Sequence, residues 1–290
     1  MLTVNAKSNN LKIQVPKGKA FAYETTPDMM KLHQNMLIVG ARGSGKTVCA
    51  VNVLRMLPFD RIFCISPTMK SNQEIMKTLK INPEDVYENP DDISCMTKIR
   101  EAIEKEAQDL DQYIEDMKEY TKFQKKKSNQ NPLTTMRQTV LKKPEHKYNG
   151  RKPICALLCD DIMGSMLFSG KGIRLCNQMC IFHRHIGQLK NGGAIGISLF
   201  WLLQSYLSQS GGISKCIRNN ATSLVLFKTK SEKQLEEIAS ECAGEVSKED
   251  FNRVYEHAID EPHSFLFIDF FKKESQPSMF RKRFTEYILI

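Results

Sequence analysis

The feature that most constrains this chain is the octapeptide Gly40-Ala41-Arg42-Gly43-Ser44-Gly45-Lys46-Thr47. It fits G-x-x-x-x-G-K-[ST]. Glycines let the backbone turn so tightly that its N–H groups converge on phosphate oxygens. The helix that follows adds the positive end of its dipole. In such a loop the lysine reaches the β and γ phosphates and the Thr hydroxyl ligates Mg²⁺. The flanks agree with this. Met36-Leu37-Ile38-Val39 reads as a short buried strand, and residues 46–56 read as a helix stopped near Pro58. Residues 61–66 (RIFCIS) form a second strand, so the order strand–helix–strand opens a parallel sheet.

A second motif, ICALLCDD, spans residues 154–161. An uninterrupted apolar strand is buried on both faces and delivers its two terminal acids to the carboxyl edge of a parallel sheet, where ligands bind. Asp160 is the candidate Mg²⁺ ligand. Asp161, one position on, is placed to polarise an attacking water. Gln204 follows another apolar strand, residues 197–203 (ISLFWLL), where an amide can orient water and sense a γ-phosphate. Arg218 and Arg184 are candidates for a cation donated across a subunit boundary to neutralise transition-state charge. Either also suits a surface or DNA-contacting role.

Further strands are expected at 223–227 (SLVLF) and 264–271 (SFLFIDFF), the latter as the last strand. Ser231-x-x-Gln234 resembles a capping box opening a helix that stops at Gly244, and Ser247-x-x-Asp250 marks a second helix start. Between residues 96 and 120, Ile99, Ile103, Ala107, Leu110, Ile114 and Met117 recur at steps of three and four, the mark of one long amphipathic helix. Residues 122–149, rich in Lys, Gln and Asn, read as a basic loop. The expected organisation is therefore a lead-in over 1–34 and one ATPase domain over 35–290, interrupted by a helical basic insertion at about 96–153.

The chain has 290 residues, 41% of them apolar, enough for one large α/β core. Its formal charge of +9 favours a polyanionic partner through counterion release. Five Lys/Arg between residues 272 and 283 add a basic tail expected to meet DNA or a neighbouring subunit. Nine cysteines, an odd number, and a polar opening segment predict a reducing, intracellular setting. No apolar run approaches the roughly 20 residues of a membrane span. Cys176, Cys180, His183 and His185 are ligand-type residues near zinc spacing. Cys176 and Cys180 also stand four apart, as inward-facing helical residues do, and the spacing leaves the choice open.

With these residues in view, the chain resembles the poxvirus-like DNA-packaging ATPases of giant viruses and virophages, a branch of the FtsK/HerA P-loop superfamily. The resemblance rests on GARGSGKT, on LLCDD, on FWLLQSY with its Gln, and on CIRNNATSLVLFKTKSEKQLEEIA with the late FLFIDF strand. It covers residues 35–66 and 154–269. It implies a RecA-like P-loop fold with a mainly parallel sheet flanked by helices, and ATP with Mg²⁺ as cofactors. It further implies double-stranded DNA as substrate, a homo-oligomeric ring (pentamer or hexamer), and a capsid or portal-type partner. The setting it implies is the host cytoplasm, in the viral factory, and the virion. Two other classes fit the residues alone. A P-loop small-molecule kinase would phosphorylate a metabolite rather than water. An ATP-gated DNA- or capsid-binding module would bind nucleotide without turnover.

Overall fold

A computed structural model describes residues 24–128, 142–207, 212–242 and 246–290. Among the described residues, nine strands form one sheet: β1 (Asn35–Val39), β2 (Arg61–Ile65), β3 (Val86–Tyr87), β4 (Cys155–Cys159), β5 (Ser198–Leu203), β6 (Ser223–Phe227), β7 (Phe265–Asp269), β8 (Phe280–Lys282) and β9 (Glu286–Tyr287). Their spatial order is β3-β2-β4-β5-β1-β6-β7-β8-β9. The first six in that order run parallel, and the last three are joined by antiparallel pairs. The expected α/β class with a mainly parallel sheet is what forms.

The central strands are apolar without interruption because each buries both faces. In β1, Leu37 and Val39 join one core while Met36 and Ile38 join the other. The first core lies under α3 (Ser94–Ser128), α4 (Gly170–Phe182), α5 (Lys215–Asn219), α6 (Glu232–Cys242) and α7 (Lys248–Ala258). The second lies under α1 (Lys46–Met56) and α2 (Gln73–Leu79). Side chains alternate along a strand, so a two-sided apolar run is the sequence signature of a covered sheet.

Polar side chains stitch the amino-terminal ends of the strands together. Asn35, fully buried, accepts from the indole N–H of the equally buried Trp201 (2.8 Å) and donates to the carbonyl of Asn220 (2.8 Å). Gln34 Oε1 accepts from the hydroxyls of Thr222 and Ser223, both at 2.8 Å. Each donor or acceptor left unpaired here would cost about 1–3 kcal/mol.

Three expectations are corrected. The long helix does not end at residue 120: α3 continues to Ser128, so residues 122–128 are helical rather than loop. Lysine and glutamine are good helix formers, and a growing helix needs no apolar partner to extend a few more turns. The remainder of the supposed basic loop through residue 141 lies outside the described residues, as do residues 1–23 of the lead-in and Gly244. The strand at Phe265–Asp269 is not the last, since β8 and β9 fold back beside it. As a result the five basic residues between 272 and 283 are all engaged within the chain. Lys273 donates to the carbonyls of Thr25 and Thr26, and Lys272 to that of Gln276. Arg281, 1% exposed, donates to the Asp28 carbonyl and lies over the rings of Phe267 and Tyr287. Lys282 and Arg283 pair with Asp260 and Glu261. Finally, Ser231 caps the Gln234 N–H, but the Gln234 side chain turns away from the reciprocal half of the box. At Ser247 the hydroxyl does cap the Asp250 N–H (3.1 Å) and donates to its carboxylate (2.7 Å).

Two buried histidines give a pH signature. His33, at φ 59, places Nε2 3.0 Å from the Ile195 carbonyl, and burial pushes its pKa down to about 4. The cations Arg184 and Lys152 and the neighbouring His183 act in the same direction. His183 is also lowered by burial. A folded pKa below the unfolded value of about 6.5 means that the unfolded chain binds the proton first. The contribution is present above pH 6.5 and is lost as pH falls from 6.5 towards 4. For His33 the loss is on the order of 3 kcal/mol, at about 1.4 kcal/mol per pKa unit. Denaturant midpoints at pH 7.5 and pH 4.5 should therefore differ more for the wild type than for His33→Asn, which tolerates the left-handed backbone. Equal differences would remove His33 as the source.

Candidate functional site

The loop of residues 40–47 joins β1 to α1 at the carboxyl edge of the sheet. Its glycines are steric requirements. A Cβ on Gly40 would lie 2.5 Å from Ser44 Oγ and 2.8 Å from Phe227 Cβ. Gly45 has φ 105 and occupies the N-cap of α1, with no side chain capping the first turn. The amide donors of that turn are left for a ligand, the arrangement that suits an anion.

Lys46 opens α1 and is buried at 9% exposure. Its Nζ donates to the loop's own carbonyls, Gly40 (2.8 Å) and Ala41 (3.0 Å). Burial lowers its pKa, an effect opposed by the charges of Asp160 and Asp161. Thr47 Oγ1 donates to Asp160 Oδ2 at 3.0 Å, joining residues 113 positions apart. Asp160 is buried at 6% exposure. Burial is the main influence raising its pKa, followed by the neighbouring Asp161 charge, while Thr47 and Lys46 pull it back. Asp161 is exposed and sits at φ 53, in the left-handed region. Asp and Asn are the side chains that tolerate that region best, and non-Gly residues there gather at functional sites.

Gln204 enters through the sheet order. β5 lies between β1 and β4, with Val39 opposite Leu203 and Cys159 opposite Trp201. The Gly40 amide donates to the Leu203 carbonyl (3.0 Å), so Gln204 emerges beside the start of the loop with an exposed side chain. The chain just beyond it is held by a residue that sequence reasoning used only as a helix cap. Gln234 Oε1 accepts from both Ser205 Oγ and the Tyr206 amide, each at 2.8 Å, and its Nε2 donates to Thr229 Oγ1.

The two arginines lie elsewhere. α5 leads into the amino-terminal end of β6, and Arg218 there is 3.3 Å from Glu241 and stacks over Tyr206, with its side chain 11% exposed. Arg184 is exposed in the turn between α4 and β5, at the sheet end opposite the loop. Within one chain, then, the structure brings together residues 40–47, Asp160, Asp161 and Gln204, and leaves Arg218 and Arg184 apart. Cys176 and Cys180 are buried in the core, and both ring nitrogens of His183 face backbone carbonyls, those of Cys180 (2.6 Å) and His33 (3.0 Å). No grouping of three His, Cys, Asp or Glu that could hold a metal occurs among the described residues.

One neighbour of the loop has no local signal in the sequence. His263, 219 positions from Ser44, places Nδ1 3.2 Å from the Ser44 carbonyl. It sits in the turn between α7 and β7 at φ 58. Only the pairing of β6 with β7 brings that turn to the loop.

The donor set at Thr47 and Asp160 suits Mg²⁺. The cation prefers hard oxygens, keeps several waters, and takes one or two protein ligands beside phosphate oxygens. A hydroxyl and a carboxylate already in contact meet that need.

No protein-family model matches the chain, and no curated protein matches it. Among solved structures it is similar to the genome packaging NTPase B204 from Sulfolobus turreted icosahedral virus 2 in complex with ATP-gammaS. Identity is 14% and the TM-score 0.44, over 83% of this chain and 94% of that one. It is similar also to the pCW3 conjugation coupling protein TcpA, monomer form with ATPgS. There identity is 14% and the TM-score 0.44, over 81% of this chain and 57% of that one. Likeness at this level transfers no residue roles, and the chemistry of the site stands on its own geometry.

Proposed function

We propose that this chain is a Mg²⁺-dependent ATPase of the FtsK/HerA kind that moves double-stranded DNA. Its setting would be a ring of identical subunits packaging a viral genome into a capsid in the host cytoplasm, docked on a capsid or portal-type protein. The observation that carries the ATPase reading is the Thr47–Asp160 contact, 3.0 Å, beside a buried Lys46. It assembles a phosphate clamp and a cation seat from two distant motifs.

Lys46 exchanges the carbonyls of Gly40 and Ala41 for the β and γ phosphate oxygens, where its charge offsets theirs. Thr47 and Asp160 would hold Mg²⁺, which supplies charge neutralisation on those oxygens. Asp161, exposed and adjacent, takes the proton of the attacking water, and Gln204 orients that water. An arginine from a neighbouring subunit, Arg184 or Arg218, completes the charge balance. Of the two, Arg184 is the exposed one, whereas Arg218 would first have to leave Glu241. The DNA part of the reading is supported by the net charge of +9. No helix among the described residues is long and apolar enough to cross a membrane.

The test is ATP hydrolysis against protein concentration, with and without long duplex DNA, at fixed salt. A rate per subunit that climbs with concentration and several-fold more with DNA is the expected result. A flat rate indifferent to DNA would leave a self-contained P-loop enzyme and end the motor reading.

A further inference from the structure

A cavity of about 410 Å³ opens against the outer side of the phosphate loop. One wall is Gly43 and Ser44; the others are Phe227 at the end of β6 and the turn that carries Glu261, His263 and Ser264. The volume falls within the range of about 300–1,000 Å³ of small-molecule sites. We propose that this cavity seats the nucleoside of the bound nucleotide, and that His263 selects for nucleotides over bare polyphosphate. The proposal rests on the phosphate-site reading above and goes on to assign residues to the part of the ligand that the loop does not hold.

Four features support it. The cavity shares Gly43 and Ser44 with the loop, so a group linked to phosphates held there can reach it without leaving the surface. The imidazole of His263 is exposed and anchored 3.2 Å from the Ser44 carbonyl, which fixes a flat ring beside the entrance. Flat rings stack on nucleobases with little regard to sequence or substituent. Asp260 and Glu261 line the same cavity, and carboxylates accept hydrogen bonds, which suits the hydroxyls of a sugar. Lys282 pairs with both (2.6 and 3.0 Å) and Arg283 with Glu261 (2.8 Å), so they do not confront the phosphates as free charges. Last, Ser264 is 3% exposed and its hydroxyl has no hydrogen-bond partner among the described residues. A buried unpaired hydroxyl costs about 1–3 kcal/mol, which a polar edge of the ligand would recover.

The test compares two probes on one protein, ATP and inorganic tripolyphosphate, each titrated calorimetrically with Mg²⁺ present. Wild type is set against His263→Asn, which keeps a side chain suited to the left-handed turn but removes the ring. His263→Gly, free of strain at that φ, serves as the second variant. The expected result is an ATP affinity lowered about tenfold in both, in line with the loss of one stacking partner, while tripolyphosphate binding stays within about twofold. Equal weakening of both probes would make His263 a prop for the loop and overturn the proposal, and unchanged ATP binding would overturn it too. A wild type that binds neither probe would instead remove the phosphate-site reading, and this one with it.

Discussion

Lys46→Ala is expected to lower phosphate release at saturating ATP by on the order of 10²–10³-fold, the scale seen when one preorganised charge-stabilising donor is lost. The reason lies in where the ammonium sits. Nζ is buried under the loop and bonded to two of its carbonyls, within the field of Asp160 and Asp161. In the proposed mechanism this is the place where phosphate charge is met, and its bonds to neutral carbonyls are ones that phosphate oxygens outcompete. Those carbonyls lie at the carboxyl edge of the sheet and water can take them over, so the thermal midpoint should move little. Steady-state hydrolysis with a matched thermal melt checks both statements. A residual rate above a tenth of wild type would take Lys46 out of the chemistry.

Asp161→Asn should separate binding from hydrolysis. The substitution keeps size and shape, and Asn tolerates φ 53 as well as Asp does. The turn therefore survives and only the charge and basicity go. Turnover should fall about 10²–10⁴-fold, the usual worth of a positioned general base. ATP affinity should hold, because the Thr47–Asp160 contact and the buried Lys46 ammonium are left in place. Asp160→Asn is the contrast: it weakens the bond with Thr47 and should lose Mg²⁺-dependent binding along with activity. Parallel loss of binding and turnover in Asp161→Asn would move Asp161 into the cation's coordination instead.

Much of the fold was legible because its signals are local. β1, α1, β2, β4, β5 and β6 are each announced by an apolar run or a glycine turn whose cause lies within a few residues. α1 begins at Lys46 and ends at Met56, as the loop before it and Pro58 after it require. The elements that were misread have weak local signals. β3, β8 and β9 are two or three residues long and exist only because a longer strand lies beside them. Arg281 and Lys282 read as part of a basic tail that meets DNA or a neighbouring subunit. They fold inward because Phe267, Tyr287 and the acids of the α7–β7 turn are waiting there. The end of α3 was set too early because periodicity marks where a helix is packed, and a helix can outrun its packing.

The candidate site divides along the same line. The sequence by itself determined the phosphate loop, since its glycine pattern is a demand of backbone sterics that holds whatever surrounds it. It also determined that two acids and an amide would stand at the ends of buried strands. Only the tertiary structure decided that Asp160 would meet Thr47, that Gln204 would emerge beside Gly40, and that His263 would close on Ser44. Those meetings depend on strand order and on the β6–β7 pairing. Strand order is chosen by the packing of whole faces against two layers of helices, an energy spread over dozens of side chains that leaves no mark at any single position.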